Sequence, residues 1–231
     1  TTGSLTGVSN LVSNSGVVAT DTSGVGTVRS QIAATGYGTD KAIFAYGQDG
    51  SGKLSMSNLV SNSGVVASDV SGVGSARSSL AAAGYGTDKA IFGYGSTGSD
   101  VSLTNLVSNT GVVSADVSGV GTARRILAAT SYGTDKAIFG FGWNGSSYLS
   151  ITNLVNSSGV VAADVSGVGT IRRGLSAAGY GGDKAIFAYG NTGSASSLSN
   201  LVNSSGVVAS DVSGVGTARN DLAAAGYSSS A

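Results

Sequence analysis

Short apolar runs alternate with clusters of Gly, Ser, Asn and Asp along the whole chain. One period of this pattern contains four apolar runs: Leu80–Tyr85, Lys89–Tyr94, Val101–Val107 and Val112–Val117. Runs of this length between turn-forming clusters are typical of β-strands. No stretch carries an apolar stripe with the period of a helix. The pattern therefore predicts an all-β chain of four-stranded units with essentially no helix.

The same pattern returns at a nearly constant interval. The tripeptide Asn-Leu-Val starts at five asparagines, which are separated by 48, 47, 48 and 47 residues: Asn10, Asn58, Asn105, Asn153 and Asn200. A fixed period of this size is the signature of a repeat architecture, in which each unit is one supersecondary element. The chain of 231 residues is thus predicted to be one domain of repeated units, residues 1–231.

The four runs differ in character, and the difference indicates how the units are arranged. The first run is Leu-Ala-Ala-Ala-Gly-Tyr, the second is apolar on both alternating faces, and the fourth mixes Val with Ser and Asp. Copies of the first run that converge on a central axis leave room only for small side chains, because larger ones would overpack. A polar fourth strand suits an outer edge. Together these features predict a β-propeller of four-stranded blades.

The number of copies predicts five blades. Five arginines open the inner strands: Arg29, Arg77, Arg124, Arg172 and Arg219. Asp-Lys-Ala-Ile-Phe, in the second strand, occurs only four times. We therefore expect complete blades at about 27–74, 75–121, 122–169 and 170–216, and a fifth blade split between residues 217–231 and 1–26. In it, Leu222–Tyr227 would be the inner strand and Leu5–Val18 the outer two. Its second strand is missing, and residues 1–9, another chain or further sequence could fill the gap.

The order of signals in each unit resembles the kelch repeat, which has a period of about 50 residues. In the third unit, Arg124 is followed by Leu127-Ala128-Ala129, then by Lys136-Ala137-Ile138-Phe139 and by Gly140-Phe141-Gly142, where kelch has a glycine doublet. The Trp of the fourth kelch strand is absent. The near-identical repeats also resemble arrays in structural and tail-fibre proteins of tailed bacteriophages. That resemblance implies a structural protein at a virion surface or outside the cell.

Composition narrows the range of functions. The chain has no His, Cys or Glu, so the usual general bases, thiolate nucleophiles and metal ligands are absent. We predict no catalytic residues, no cofactor, no metal site and no enzymatic activity. Twelve basic and twelve acidic residues give zero net charge, which argues against nucleic-acid binding and against a polybasic membrane patch. No apolar run is long enough to span a membrane.

Most charges follow the period. Asp-Lys pairs occupy the turn after the first strand, and a second Asp closes the fourth strand eight residues before each Arg. A catalytic site needs an asymmetric cluster, whereas these charges recur once per blade. We therefore expect them to have structural roles, in Asx-type turns and in Arg–Asp pairs between blades.

Differences between the units point to a candidate binding surface. The loops from strand two to three, and the residues after each periodic Arg, vary most, and in an up-and-down blade both lie on one face. The residues on this face best suited to binding are Trp143, Asn144, Tyr148, Arg125 and Arg173. Exposed aromatic rings beside Asn and Arg suit stacking on sugars and hydrogen bonding to them. Neutral variation of solvated loops is the alternative explanation.

These observations leave two binding functions open. The first is a non-enzymatic structural or adhesive module whose partners are other protein subunits and which could form oligomers through the incomplete blade. The second is a lectin that holds a glycan on the variable face. A structural module needs an exposed sheet edge or an apolar patch. A lectin should have sugar sites that recur in each blade.

Overall fold

Each period folds into one antiparallel sheet of three strands. The computed structural model describes residues 4–226. Its strands are β1 (Ala33–Tyr37), β2 (Lys41–Ala45), β3 (Ser57–Val60), β4 (Ala81–Tyr85), β5 (Lys89–Gly93), β6 (Thr104–Val107), β7 (Ala128–Tyr132), β8 (Lys136–Trp143), β9 (Tyr148–Val155), β10 (Ser176–Tyr180), β11 (Lys184–Ala188) and β12 (Ser199–Val202). They form the sheets β1-β2-β3, β4-β5-β6, β7-β8-β9 and β10-β11-β12. The predicted all-β class is confirmed. Residues 4–226 contain no helix, and therefore none that could cross a membrane.

The first two strands of each sheet form a tight hairpin. In the second sheet, Ala81 pairs with Gly93 and Tyr85 pairs with Lys89. The connecting turn contains Gly86 and Thr87, both in the left-handed region with φ of 59° and 68°. The N–H of Gly86 donates to the carbonyl of Asp135 in the next sheet over 2.7 Å. The turn therefore closes the hairpin and also links two repeats.

The predicted fourth strand is an irregular edge segment. In the second repeat, it joins β6 only through isolated bridges, Thr104 to Val117 and Val107 to Val113. The two bridges differ by one residue in register, so the segment bulges between them. The side chain of Asn105 fills the bulge and donates to the carbonyl of Ser114 over 3.0 Å. The described sheets thus have three regular strands and a bulged edge.

Successive sheets are joined along their inner strands, where β1 contacts β4, β4 contacts β7 and β7 contacts β10. The residue two positions after each periodic Arg contributes to a ladder of hydrogen bonds between repeats. The N–H of Ser79 donates to Gln31, that of Ile126 to Ser79, that of Gly174 to Ile126 and that of Asp221 to Gly174, over 2.8–3.1 Å. The small Ala and Gly side chains of the inner strands permit this close approach.

The hydrophobic core is divided among the three interfaces between sheets. Phe92, Phe139 and Phe187 are fully buried in them. Phe44 is only half-buried, although it occupies the equivalent position in the first sheet. The tyrosines at the ends of β1, β4 and β7 are buried, and Tyr180 at the end of β10 is exposed. The first and last sheets are therefore less well covered than the middle two.

Within residues 4–226, the N-terminal and C-terminal segments do not share a sheet. Ser9 bridges Thr22 and Val12 bridges Val18, so the first segment forms a hairpin of its own. Residues 222–226 contain no strand, and no bridge joins them to residues 4–22. Tyr227, the last residue of the predicted inner strand, lies outside the described residues. Residues 4–226 thus show four sheets and one separate hairpin, and they do not show five blades of four strands.

Candidate functional site

Three of the five periodic arginines, Arg77, Arg124 and Arg172, are fully buried, whereas Arg29 is half-buried and Arg219 is exposed. In the third repeat, Nε of Arg124 donates to the carbonyl of Phe141 over 2.9 Å and Nη1 to the carbonyl of Thr122 over 3.1 Å. Nη2 donates to Oδ1 of Asn153 over 2.7 Å. Only a planar, forked cation can satisfy three acceptors in this arrangement. Burial lowers the pKa of Arg124, and the fixed acceptors hold the charged side chain in place.

A carboxylate completes the arginine site in each of the four sheets. Oδ1 of Asp164 lies 4.0 Å from Nη1 of Arg124, and the Asp164 carboxylate accepts hydrogen bonds from Thr122 and Asn153. Partial burial raises the pKa of Asp164, but these hydrogen bonds and the charge of Arg124 outweigh burial, so the pKa lies below its usual value. The predicted Arg–Asp pairing between blades was wrong, because Arg124 and Asp164 belong to the same repeat. The irregular edge brings Asp164 back beside its own arginine.

Contact between repeats is made by the flat side of the guanidinium. The Cζ atom of Arg124 lies 4.1 Å from the ring centroid of Tyr94, which belongs to the preceding repeat. Phe139 meets the same ring edge-on at 5.2 Å. Burial raises the pKa of Tyr94 to about 12 against the opposing charge of Arg124. The periodic charges therefore act as structural connectors, as the sequence predicted in general terms.

The variable face is built on the longest hairpin of the chain. β8 and β9 have eight residues each, and their register shifts between Gly140 and Gly142. The extended ends pair Trp143 with Tyr148, so the two rings meet at 5.1 Å in a T-shaped contact. In the other sheets the second strand ends sooner, at a bend before the loop. The third repeat alone among the described sheets carries an aromatic pair here.

Arg173 from the next repeat lies over this pair. Its Cζ atom is 5.7 Å from the Trp143 centroid and 5.4 Å from the Tyr148 centroid. The hydroxyl of Tyr148 donates to Oδ1 of Asn191 over 3.4 Å. All of these side chains are half-buried. They form a shallow surface with two rings, a cation and polar groups, which can stack on a flat ligand and bond to its hydroxyls.

Arg125 and Asn144 flank the aromatic pair. The backbone of Arg125 bonds in both directions with that of Trp143, over 2.9 Å, and its side chain pairs with Asp100. Oδ1 of Asn144 accepts the N–H groups of Ser146 and Ser147, so it shapes the turn. The structure thus brings together all five residues singled out from the sequence. Asn144 and Arg125 are largely engaged in supporting the surface.

Two residues of this face were not predicted. Asp100 holds Arg125, and Asn191 holds Tyr148, each across a boundary between repeats. Both lie in the variable loops from strand two to three. Their position in these loops was the only sequence feature that could have identified them. Their pairing depends on how neighbouring sheets are offset, and a single sequence does not give that offset.

A second surface was also missed. The first valine of every Gly-Val-Val run has an exposed fraction between 61 % and 66 %. We call these residues the valine band: Val17, Val65, Val112, Val160 and Val207. They lie on the irregular outer edge, where the next valine bridges back to strand three. In the sequence, such runs resemble core strands.

No protein-family model matches the chain, and no curated protein matches it at a significant level.

Proposed function

We propose that the chain is a non-enzymatic structural or adhesive module, part of a virion or tail-fibre protein, that binds other protein subunits through the valine band. The observation that supports this is the recurrence of one exposed valine on the outer edge of each repeat. Soluble proteins usually protect sheet edges with charge or cover them. An apolar row along such an edge is typical of an interaction surface.

The arrangement of the sheets supports a propeller-like architecture for this module. Successive sheets contact through small-residue inner strands, and their bulged edges lie at the opposite side of each sheet. In a propeller, this arrangement puts the inner strands at the axis and the valine band at the rim. Each blade would then present the same contact to surrounding subunits.

The proposal is tested by making two positions of the band polar without changing their shape. In Val112→Thr/Val160→Thr, we expect concentration-dependent association, measured by sedimentation velocity, to weaken. The matched control is Val120→Thr/Val215→Thr, which changes two exposed valines outside the band. A parent protein that stays monomeric at all concentrations, or equal effects of the two variants, would overturn the proposal.

A second function is favoured by one observation, the contact of Trp143, Tyr148 and Arg173 on the variable face. Here we propose carbohydrate binding, in which a sugar ring stacks on the aromatic pair. A glycan array probed with the parent protein, with Trp143→Ala and with Tyr148→Ala tests it. Specific binding that both variants lose is expected. A blank array from folded parent protein would exclude this function.

A further inference from the structure

The first sheet has an open face where its counterparts are covered. Ile32, which precedes β1, is 39 % exposed, whereas Leu80, Leu127 and Leu175 at the same position are 6–7 % exposed. Phe44 is half-buried there, although its three equivalents are fully buried. In the covered cases, the covering residues come from the second strand of the preceding repeat, such as Ile43 and Tyr46 in front of Leu80.

Arg29 on this face lacks the contact that every other periodic arginine makes. The other four guanidinium groups lie over an aromatic ring of the preceding repeat, with centroid distances of 3.9–4.4 Å. No ring within residues 4–226 lies over Arg29. The edge of its guanidinium is fully engaged, by the carbonyls of Tyr46 and Thr27 and the side chain of Asn58. The Arg29 side chain is 5 % exposed, and without a stacked ring it lines the groove described next.

A groove of about 120 Å³ occupies the place of the missing strand. Arg29, Ile32 and Phe44 line one wall, and Gly7–Ser9 of the first hairpin line the other. We call it the Arg29 groove. The hairpin lies where strand three of a preceding repeat would lie, because a Cβ placed on Gly64 would meet Leu11, just as one placed on Gly111 would meet Leu59.

The hairpin also presents an unpaired backbone edge. Ser9 and Leu11 bond to Thr22 and Ala19 on one side. The alternate residues, Asn10 and Val12, have no backbone hydrogen bond to any residue within 4–226.

In the complete sheets, this edge is always paired with strand two. In the first sheet, Asn58 is opposite Phe44 and Val60 is opposite Ala42. The groove therefore offers a free edge, an apolar wall and a cation without a stacked ring, in the positions that a second strand occupies elsewhere.

We propose that the Arg29 groove binds an extended β-strand of a partner protein. The strand has an aliphatic residue, a small residue two positions later and an aromatic residue three positions later, followed by Gly. This is the class of Ile43-Phe44-Ala45-Tyr46-Gly47. The bound strand pairs with Asn10 and Val12, and its aromatic ring stacks on Arg29. A strand bound there would continue the series of three complete interfaces that this chain already builds in the same way.

The test uses the full chain and a synthetic peptide, Lys-Ala-Ile-Phe-Ala-Tyr-Gly, with a fluorophore at its N-terminus. Fluorescence anisotropy should show saturable binding with one peptide per chain. Replacing the peptide Tyr by Ala should weaken binding about tenfold, because the contact with the Arg29 cation is lost. A scrambled peptide of the same composition should not bind.

A matched pair of protein variants locates the site. Ile32→Asp puts a charge in the groove, and Ile171→Asp puts the same charge on an exposed isoleucine elsewhere. We expect only Ile32→Asp to abolish binding, while the two variants have similar thermal unfolding midpoints. If Ile32→Asp does not fold, the comparison of the Tyr and Ala peptides on the parent protein still tests the proposal.

Three outcomes would overturn the proposal. They are no saturable binding to folded protein, equal affinity of the Tyr and Ala peptides, and a stable dimer that the peptide does not dissociate. The last outcome would identify a second copy of the chain as the occupant. The Arg29 groove and the valine band are separate surfaces, so failure at one leaves the other proposal intact.

Discussion

Three fully buried arginines in a small β protein need a physical explanation, because taking an unpaired charge out of water costs several kcal/mol. In Arg124, three acceptors and Asp164 surround the guanidinium edge, and Tyr94 covers its flat side. A lysine has a single ammonium group and could not make the same set of contacts. Each buried arginine therefore connects its own repeat to the preceding one.

The first prediction concerns Arg124→Met, which keeps the length of the side chain and removes its charge. We expect the free energy of unfolding to fall by about 3–5 kcal/mol, because Asn153 and Asp164 lose their cation. The control is Lys136→Met, which removes an exposed partner of Asp135 and should cost less than about 1 kcal/mol. Guanidinium denaturation measures both. Equal costs would show that the buried arginine contributes no more than a surface charge.

The second prediction concerns the stacked tyrosines. Burial raises the pKa of Tyr46 and of Tyr94 to about 12, while an unfolded tyrosine ionises near pH 10. The unfolded chain therefore loses these protons first. The stability that the two groups contribute is fully present below pH 10 and is lost as the pH rises towards 12. An absorbance titration of tyrosinate should show Tyr46 and Tyr94 ionising last among the tyrosines, and Tyr94→Phe should remove one of these two latest groups. A titration unchanged by Tyr94→Phe would contradict this assignment.

At the scale of the strand, the end of strand two is the most constrained element. The aromatic residue that follows Ala45, Gly93, Gly140 or Ala188 has a positive φ in all four sheets: 62° at Tyr46, 65° at Tyr94, 64° at Phe141 and 63° at Tyr189. Such a backbone costs a bulky residue about 1–3 kcal/mol. The arginine of the next repeat covers each ring and offsets this cost. The same bend turns the ring out of its own sheet towards its neighbour.

The third prediction tests the glycine that follows this bend. Gly95 has φ of 97°, and a Cβ there would lie 2.8 Å from the carbonyl oxygen of Ser78 and 2.9 Å from Leu80. Gly95→Ala should therefore destabilise the protein by about 2 kcal/mol or more. The control is Gly50→Ala, where a Cβ meets nothing within 4 Å, and it should change stability by less than about 0.5 kcal/mol. Similar denaturation midpoints for the two variants would refute the role of Gly95.

Strands one and two could be predicted to within about one residue, because their turns and apolar runs are local features. Leu80–Tyr85 was expected and Ala81–Tyr85 is observed. The fourth strand could not be predicted so well, because the Asn105 side chain replaces a backbone partner and forces a bulge. A periodic Asn in strand three was visible, but its sequence neighbours do not show whether it faces solvent or an edge.

The variable face could be anticipated because alternating loops of an up-and-down sheet lie on one side. Its supporting residues, Asp100 and Asn191, could not, since their contacts cross between sheets. The open face at Ile32 was only partly foreseeable. The sequence has five periodic arginines but only four copies of Asp-Lys-Ala-Ile-Phe, and this difference predicted a missing second strand. It did not show that the open position lies beside Arg29.

On the scale of the whole molecule, three similar interfaces join four sheets in a row. The middle sheets are covered on both faces, while the first sheet is open at Phe44 and the last at Ile186. In repeat proteins, stability is approximately the sum of each unit and its contacts with its neighbours. The first and last sheets should therefore open more readily than the middle ones.

The fourth prediction concerns amide hydrogen exchange and follows from the more open first and last sheets. Amides of β5 and β8 should exchange more slowly than those of β2 and β11, because the central strands lose two interfaces when they open. Native-state exchange read by mass spectrometry resolves the repeats, since their variable loops give distinct peptides. Equal protection of all four second strands would mean that the two end sheets are covered as well, as in a closed ring.

The hydrogen-bond ladder through Gln31, Ser79, Ile126, Gly174 and Asp221 has one direction, and each step crosses one repeat. Removing or duplicating a single period therefore creates no junction that the protein does not already contain. Recombination between the similar coding segments can lengthen or shorten the array in whole units, and every product inherits working interfaces. The number of repeats is thus a quantity that evolution can change in one step, without a new contact having to arise.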